Sequence, residues 1–279
     1  MRTNLHPLAA FVLAAPVAGC TAIADPGQYV QDPGCDLRMD FIGMSAHTSQ
    51  LTHLYVDSPT DATFEGVALT CHVVLDPTPA PDFSVRLPEG VVSHRSKVDF
   101  YSDVNGNGTY DGALDPTTNP GGDHTWVRSG LCGPEPLSFT HVFVFDDFTI
   151  PSGRPNPATV RFVGFPANAG PVEVRVFERD PALGDVSIGL YHKTSTGSTG
   201  TFDAVIDGIV DASTDLDLRV EIWVDRNANG VVDAAGPDVA FTKTVQSNVL
   251  GGTTGLVLDF ASLGTVGPYE GTGPYVTPN

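Results

Sequence analysis

The sequence predicts an all-β protein built as two tandem antiparallel β-sandwich domains. Three observations carry this expectation. Apolar residues recur with period two over short runs: Val67, Leu69, Cys71 and Val73 alternate with Ala68, Thr70 and His72, and Val186, Ile188 and Leu190 repeat the pattern. That period marks strands with one buried face. The runs are separated by turn-formers, with 30 glycines and 23 prolines among 279 residues, and none shows the 3.6-residue period of a capped helix. Finally, the chain matches itself at a spacing of about 120 residues, the mark of a duplicated unit.

The duplication sets the boundaries. Met39–Met44 pairs with Val160–Phe165, Gly66–Cys71 with Asp185–Leu190, Phe83 with Phe202, and Phe100–Asp103 with Ile222–Asp225. The halves close on similar runs ending at Phe148 and Phe260. Domain 1 is therefore expected over 37–150 and domain 2 over 158–263. Residues 151–157, with Pro151, Pro155 and Pro157, read as a stiff linker. His141–Phe145 and Leu218–Trp223 are β-branched and aromatic, and read as further strands. Immunoglobulin-like and prealbumin-like topologies both fit repeated short strands of this kind.

At the N-terminus, Arg2 is the only charge before Cys20, and Leu8–Gly19 is apolar but too short to span a bilayer. Val17-Ala18-Gly19-Cys20 resembles the lipobox of bacterial lipoproteins. That resemblance implies a signal peptide over 1–19, lipidation of Cys20, and an outer-membrane or cell-surface location, since Thr21 replaces the Asp of an inner-membrane retention signal. Residues 20–36 then form a tether. At the other end, 264–279 carries Gly-Pro-Tyr twice without a core pattern, and reads as a flexible tail. With 14 Lys and Arg against 33 Asp and Glu, the net charge is −19. No nucleic-acid partner is expected of such a chain, because it cannot neutralise a polyanion.

The sharpest chemical signal is a nine-residue pattern, D-x-N-x-N-G-x-x-D, at Asp103–Asp111 and again at Asp225–Asp233. Hard cations need several oxygens, and a sharp turn at the glycine lets carboxylate, amide and backbone oxygens converge. The pattern resembles the calcium loop of EF-hands, dockerins and extracellular β-modules. The resemblance implies Ca²⁺ bound by Asp103, Asn105, Asn107, the Thr109 carbonyl and Asp111 in the first loop. In the second it implies Asp225, Asn227, Asn229, the Val231 carbonyl and Asp233. The EF-hand's distal Glu is missing, since Leu114 and Gly236 stand there; Asp115 and Asp238 are the nearest later carboxylates, and are expected to serve instead. Each loop leaves a strand, so the helix–loop–helix sensor does not apply.

Nothing else rises to that level. Cys35 and Cys132 flank glycine-rich turns and are expected to form a disulfide, with Cys71 a buried free thiol. The eight histidines lack metal-site spacing and read as scattered. No nucleophile elbow or phosphate loop is present. The expectation is a non-enzymatic, monomeric, lipid-anchored and calcium-stabilised surface protein acting as an adhesion module or spacer. Its alternative is a calcium-dependent binder of carbohydrate or another small ligand, with a glycan or surface protein as partner. Trp126 separates the two: an exposed Trp126 favours the ligand binder, a packed one the structural module. Cys20→Ala should move the protein from the detergent-extracted membrane fraction to the soluble fraction; retention in the membrane would refute the anchor.

Overall fold

The computed structural model describes residues 38–59, 67–86, 97–129, 137–165, 170–180, 184–194, 200–227, 229, 233, 238–259 and 276–278. The lipobox, Cys35, Cys132, Val231 and most of the expected tail lie outside these residues.

The first half contributes β1 (Arg38–Ile42), a 3-10 turn (Met44–His47), β2 (Thr52–Pro59), β3 (Val67–Asp76), β4 (Phe83–Arg86), β5 (Lys97–Ser102), β6 (His124–Ser129) and β7 (Leu137–Thr140). The second contributes β8 (Asn156–Val163), β9 (Val172–Asp180), β10 (Gly184–Lys193), β11 (Thr201–Val210), β12 (Asp217–Val224), β13 (Val239–Gln246), α1 (Ser247–Leu250) and β14 (Leu256–Asp259), and β15 (Val276–Pro278) follows. The chain is all-β, as the period-two runs require.

Both halves pair their seven strands in the same order. The first sets β4-β1-β7 against β3-β2-β5-β6, and the second sets β11-β8-β14 against β10-β9-β12-β13. An immunoglobulin-type sandwich puts its first, second, fifth and fourth strands in one sheet. Here the second strand pairs with the third and fifth instead, which is the prealbumin-like order. The repeat extends to side chains: Phe41 stacks on Phe83 at 4.6 Å and Phe162 on Phe202 at 4.7 Å.

The two halves share a sheet. β10 runs parallel to β3, with Leu190 opposite Val73 and Tyr191 opposite Val74, and this pairing joins two four-stranded sheets into one of eight. Successive residues of a strand point to opposite faces. Val73 and Leu190 accordingly lie in the first core, with Phe41, Phe100 and Trp126. Val74 and Tyr191 lie in the second, with Phe162, Val174 and Ile222. The smaller sheets therefore cover opposite faces of the common sheet, and each junction strand feeds the other half's core. The Asp76 carboxylate fastens the end of the junction by accepting from Tyr191 Oη and, at 2.7 Å, from Lys193 Nζ.

Three segments depart from the expectations. Residues 151–157 are tied down rather than merely spanning: Leu69 N donates to Ser152 O at 3.1 Å, Arg154 N to Gly208 O at 2.7 Å, and β8 begins at Asn156. His141–Phe145 forms no strand. Phe145 instead packs against the first core while Val142, Phe143 and Val144 are exposed, and Trp126 Nε1 donates to Val142 O at 3.1 Å. The true equivalent of β14 is β7, so the run ending at Phe148 is an addition to the repeat. Val276–Pro278, expected within the tail, pairs with the open edge of β4 and buries Val276 in the first core.

Cys71 is a buried free thiol, and burial pushes its pKa up to about 12. Because Leu190 completes the core of the opposite half, Leu190→Ala should cost about 2–5 kcal/mol in urea unfolding. Trp126 and Trp223, one in each half, should report a single common midpoint. Two resolved midpoints would show the halves unfolding independently.

Candidate functional site

The two acidic loops sit at equivalent strand exits. Asp103 follows β5 and its N–H donates to Leu51 O at 2.9 Å; Asp225 follows β12 and donates to Pro171 O at the same distance. Both side chains are buried, although residues 104–109 of the first loop are exposed. Asp103 Oδ1 accepts from Gly106 N at 2.7 Å and its Oδ2 from Gly108 N at 2.7 Å. Gly106 and Gly108 adopt φ of +72° and +76°, which explains glycine at these positions.

Across the first turn, Asn105 Nδ2 and Asn107 Nδ2 both donate to Asp111 Oδ2, at 2.7 and 2.6 Å. Asn227 and Asn229 treat Asp233 Oδ2 in the same way, at 2.6 and 2.9 Å. Positions 1, 3, 5 and 9 of the pattern are thus brought together in both loops. Thr109 is held by N–H and hydroxyl bonds to Asn107 Oδ1.

The distal carboxylates divide. Asp238 Oδ1 accepts from Arg226 N and its Oδ2 from Asp233 N, both at 3.0 Å. In the first loop the same bonds go to Asp123, from Val104 N at 3.2 Å and Asp111 N at 2.9 Å. Asp115, the expected ligand, lies exposed and accepts from Thr117 N and Thr118 N at the start of its own turn. Asp123 was hidden by spacing, standing 12 residues after Asp111 where Asp238 stands 5 after Asp233. The excursion is stapled by Asn119 Nδ2, which donates to Asp111 O and Ala113 O. Burial raises the pKa of Asp123, loop N–H bonds lower it, and the Asp103 and Asp111 carboxylates raise it further. Three like charges therefore converge on the first loop.

Beside this loop lies a cavity of about 340 Å³ lined by Tyr55, Tyr101, Tyr110, Arg154 and Asp207, and by Gly108 and Thr109 of the loop itself. Tyr110 Oη donates to Phe148 O at 2.9 Å. Next to Tyr55 and Tyr101, His53 Nδ1 and His72 Nε2 meet at 3.0 Å, and His72 Nδ1 donates to Asp207 O at 2.9 Å. Trp126 does not line this cavity. It is fully buried and stacked 5.3 Å from Phe100.

The structure also assembles what the spacing of histidines concealed. His47 from the 3-10 turn, His124 from the start of β6 and His141 after β7 place one ligand atom each within 4.8 Å of the others. Among the described residues no other group of three His, Cys, Asp or Glu side chains meets that criterion. The loop carboxylates fall outside it, with amide and backbone N–H groups between them. The signal available in sequence was only that the first half is histidine-rich, because these three come from separate elements.

Comparison of the chain with protein-family models, with curated proteins and with solved structures finds no match.

Burial holds His53 down at about 4 and His72 at about 3, the latter also through its neighbour His53. Both are neutral in the folded state and take up protons on unfolding below pH 6.5. Stability should therefore fall as pH drops from 6.5 towards 4, by up to about 1.4 kcal/mol per unit for each histidine. Asp57, raised by burial to about 6, opposes this between its ordinary value and pH 6. Urea midpoints at pH 7, 6 and 5 check the slope. His72→Gln should flatten it, and an unchanged profile would refute the assignment.

Proposed function

We propose that this chain is a non-enzymatic, lipid-anchored surface protein of bacteria whose strand exits are fixed by calcium, serving as an adhesion module or spacer. The observation that carries this reading is the recurrence of one oxygen-rich loop at equivalent places in both halves. In each loop a buried aspartate opens the turn and a second carboxylate, Asp123 or Asp238, crosses it by the same two N–H bonds. The donor set suits a hard cation. Asp103, Asp111 and Asp123 repel one another, and the loop asparagines can turn carbonyl oxygens inward where they now present Nδ2. Calcium would relieve the repulsion and tie β5 to β6, and β12 to β13.

A buried Trp126 removes the aromatic platform on which a lectin-like surface would depend. The reading as a binder of a small polar ligand keeps one supporting observation: the tyrosine-lined cavity, which shares Gly108 and Thr109 with the first loop. A glycan array probed with and without calcium separates the two readings, with calcium-dependent binding favouring the second.

At tenfold Kd each site should add about 1.4 kcal/mol, so saturating calcium should raise Tm by roughly 5–10 °C, reversibly by chelation. Asp103→Ala and Asp225→Ala should each remove about half of the increment. Asp123→Ala should act like Asp103→Ala, and Asp115→Ala should leave the response intact. Calorimetry that finds no calcium bound at millimolar concentration would leave both loops as plain turns.

A further inference from the structure

The cluster at the end of the first core is built differently from the acidic loops. His47 is fully buried, and its Nδ1 lies 2.6 Å from Gln50 Oε1. An amide oxygen only accepts, so this bond places the His47 proton on Nδ1 and leaves a lone pair on Nε2. That lone pair faces His141 Nε2 at 3.0 Å and His124 Nδ1 at 3.4 Å. Three imidazole nitrogens thus converge on one point, with no carboxylate in the group.

We propose that His47, His124 and His141 bind one divalent transition ion of the zinc class. Nitrogens held 2.0–2.1 Å from a tetrahedral zinc stand about 3.3 Å apart, close to the 3.0 and 3.4 Å measured from His47 Nε2, and the third separation is within 4.8 Å. Imidazole donors suit zinc and copper rather than calcium, which takes oxygen. Gln50 is the partner that a metal-bound histidine needs on its other nitrogen, fixing tautomer and ring orientation. The rings are also braced: His124 stacks on Phe145 at 4.2 Å, and His47 sits edge-on to Trp126 at 5.6 Å.

Burial lowers the pKa of all three histidines, and their mutual repulsion adds to this for His47 and His124, which falls to about 4. The rings are therefore neutral donors at neutral pH, and a dication meets little proton competition. A chain of net charge −19 further favours cation entry. His124 and His141 are only half-buried, and His141 packs against the exposed Phe143 at 4.7 Å. Three protein ligands leave a fourth position, which opens on this side to water or an incoming donor group.

Calorimetry of the full chain with zinc chloride, in excess calcium so that the acidic loops are saturated, should find one zinc ion per chain. Gln50→Ala should weaken binding about 10–100-fold, and His124→Gln or His141→Gln by more, while the calcium-dependent rise in Tm is retained. Cobalt substitution of the unmodified chain should give the intense visible bands of a four-coordinate, nitrogen-ligated ion, so the decision does not depend on any variant folding. No zinc binding, binding indifferent to the histidine substitutions, or only the weak bands of six-coordinate cobalt would each overturn the proposal.

Discussion

The rest of the structure depends on the parallel pairing of β3 with β10. An isolated seven-stranded half would leave the β3 edge open, with its backbone N–H and C=O groups unpaired on one side. Edges of that kind invite aggregation unless covered. Pairing β3 with β10 satisfies both edges at once and commits Val74 to one core and Leu190 to the other. The polar side chains at the junction follow from it. His72 finds the carbonyl of Asp207 on β11, and His192 finds Glu173 on β9. Asp207 belongs to the other half, whereas Glu173 stands directly opposite His192 on the paired strand of its own half.

The acidic loops inherit their geometry from the same plan. Each begins where the central strand pair of its half ends, at Ser102 and Val224, so the first aspartate is delivered to a fixed, buried position by the sheet rather than by the loop. The remaining ligand positions then follow from a turn that glycine permits. The first half elaborates this plan with the Asp111–Asp123 excursion and the segment after β7. Those two additions also bring His124 and His141 to the buried His47. The histidine cluster has no counterpart in the second half, where His192 is the only histidine.

Much of this was legible in the sequence. The period-two runs and the match of Phe41 and Phe83 with Phe162 and Phe202 identify the strands and their equivalence, because each reports a local or pairwise constraint. The loop residues at positions 1, 3, 5 and 9 were legible for the same reason: the chemistry sits within one turn. Asp123 was not, since an insertion displaced it and a nearer carboxylate, Asp115, stood in its expected place. Nor was the shared sheet. Aligning Cys71 with Leu190 puts both on the inward phase, but they face the same core from opposite halves, which periodicity cannot distinguish from two separate cores. His47, His124 and His141 lie on three elements that only the folded topology brings together.

The junction also says something about symmetry. Leu75 and Lys193 hold equivalent places, opposite Thr52 and Val172, yet Lys193 lies opposite Asp76 rather than Leu75. A half-turn about the strand direction sends equivalent residues to opposite faces, whereas neighbours across a sheet must share one; a slip of one residue reconciles the two. An exact two-fold axis cannot contain that slip. Two identical copies of either half could not reproduce this parallel junction about an exact two-fold axis. The divergence of the halves is visible at this junction: His72 and Val74 on one strand answer to Leu190 and His192 on the other.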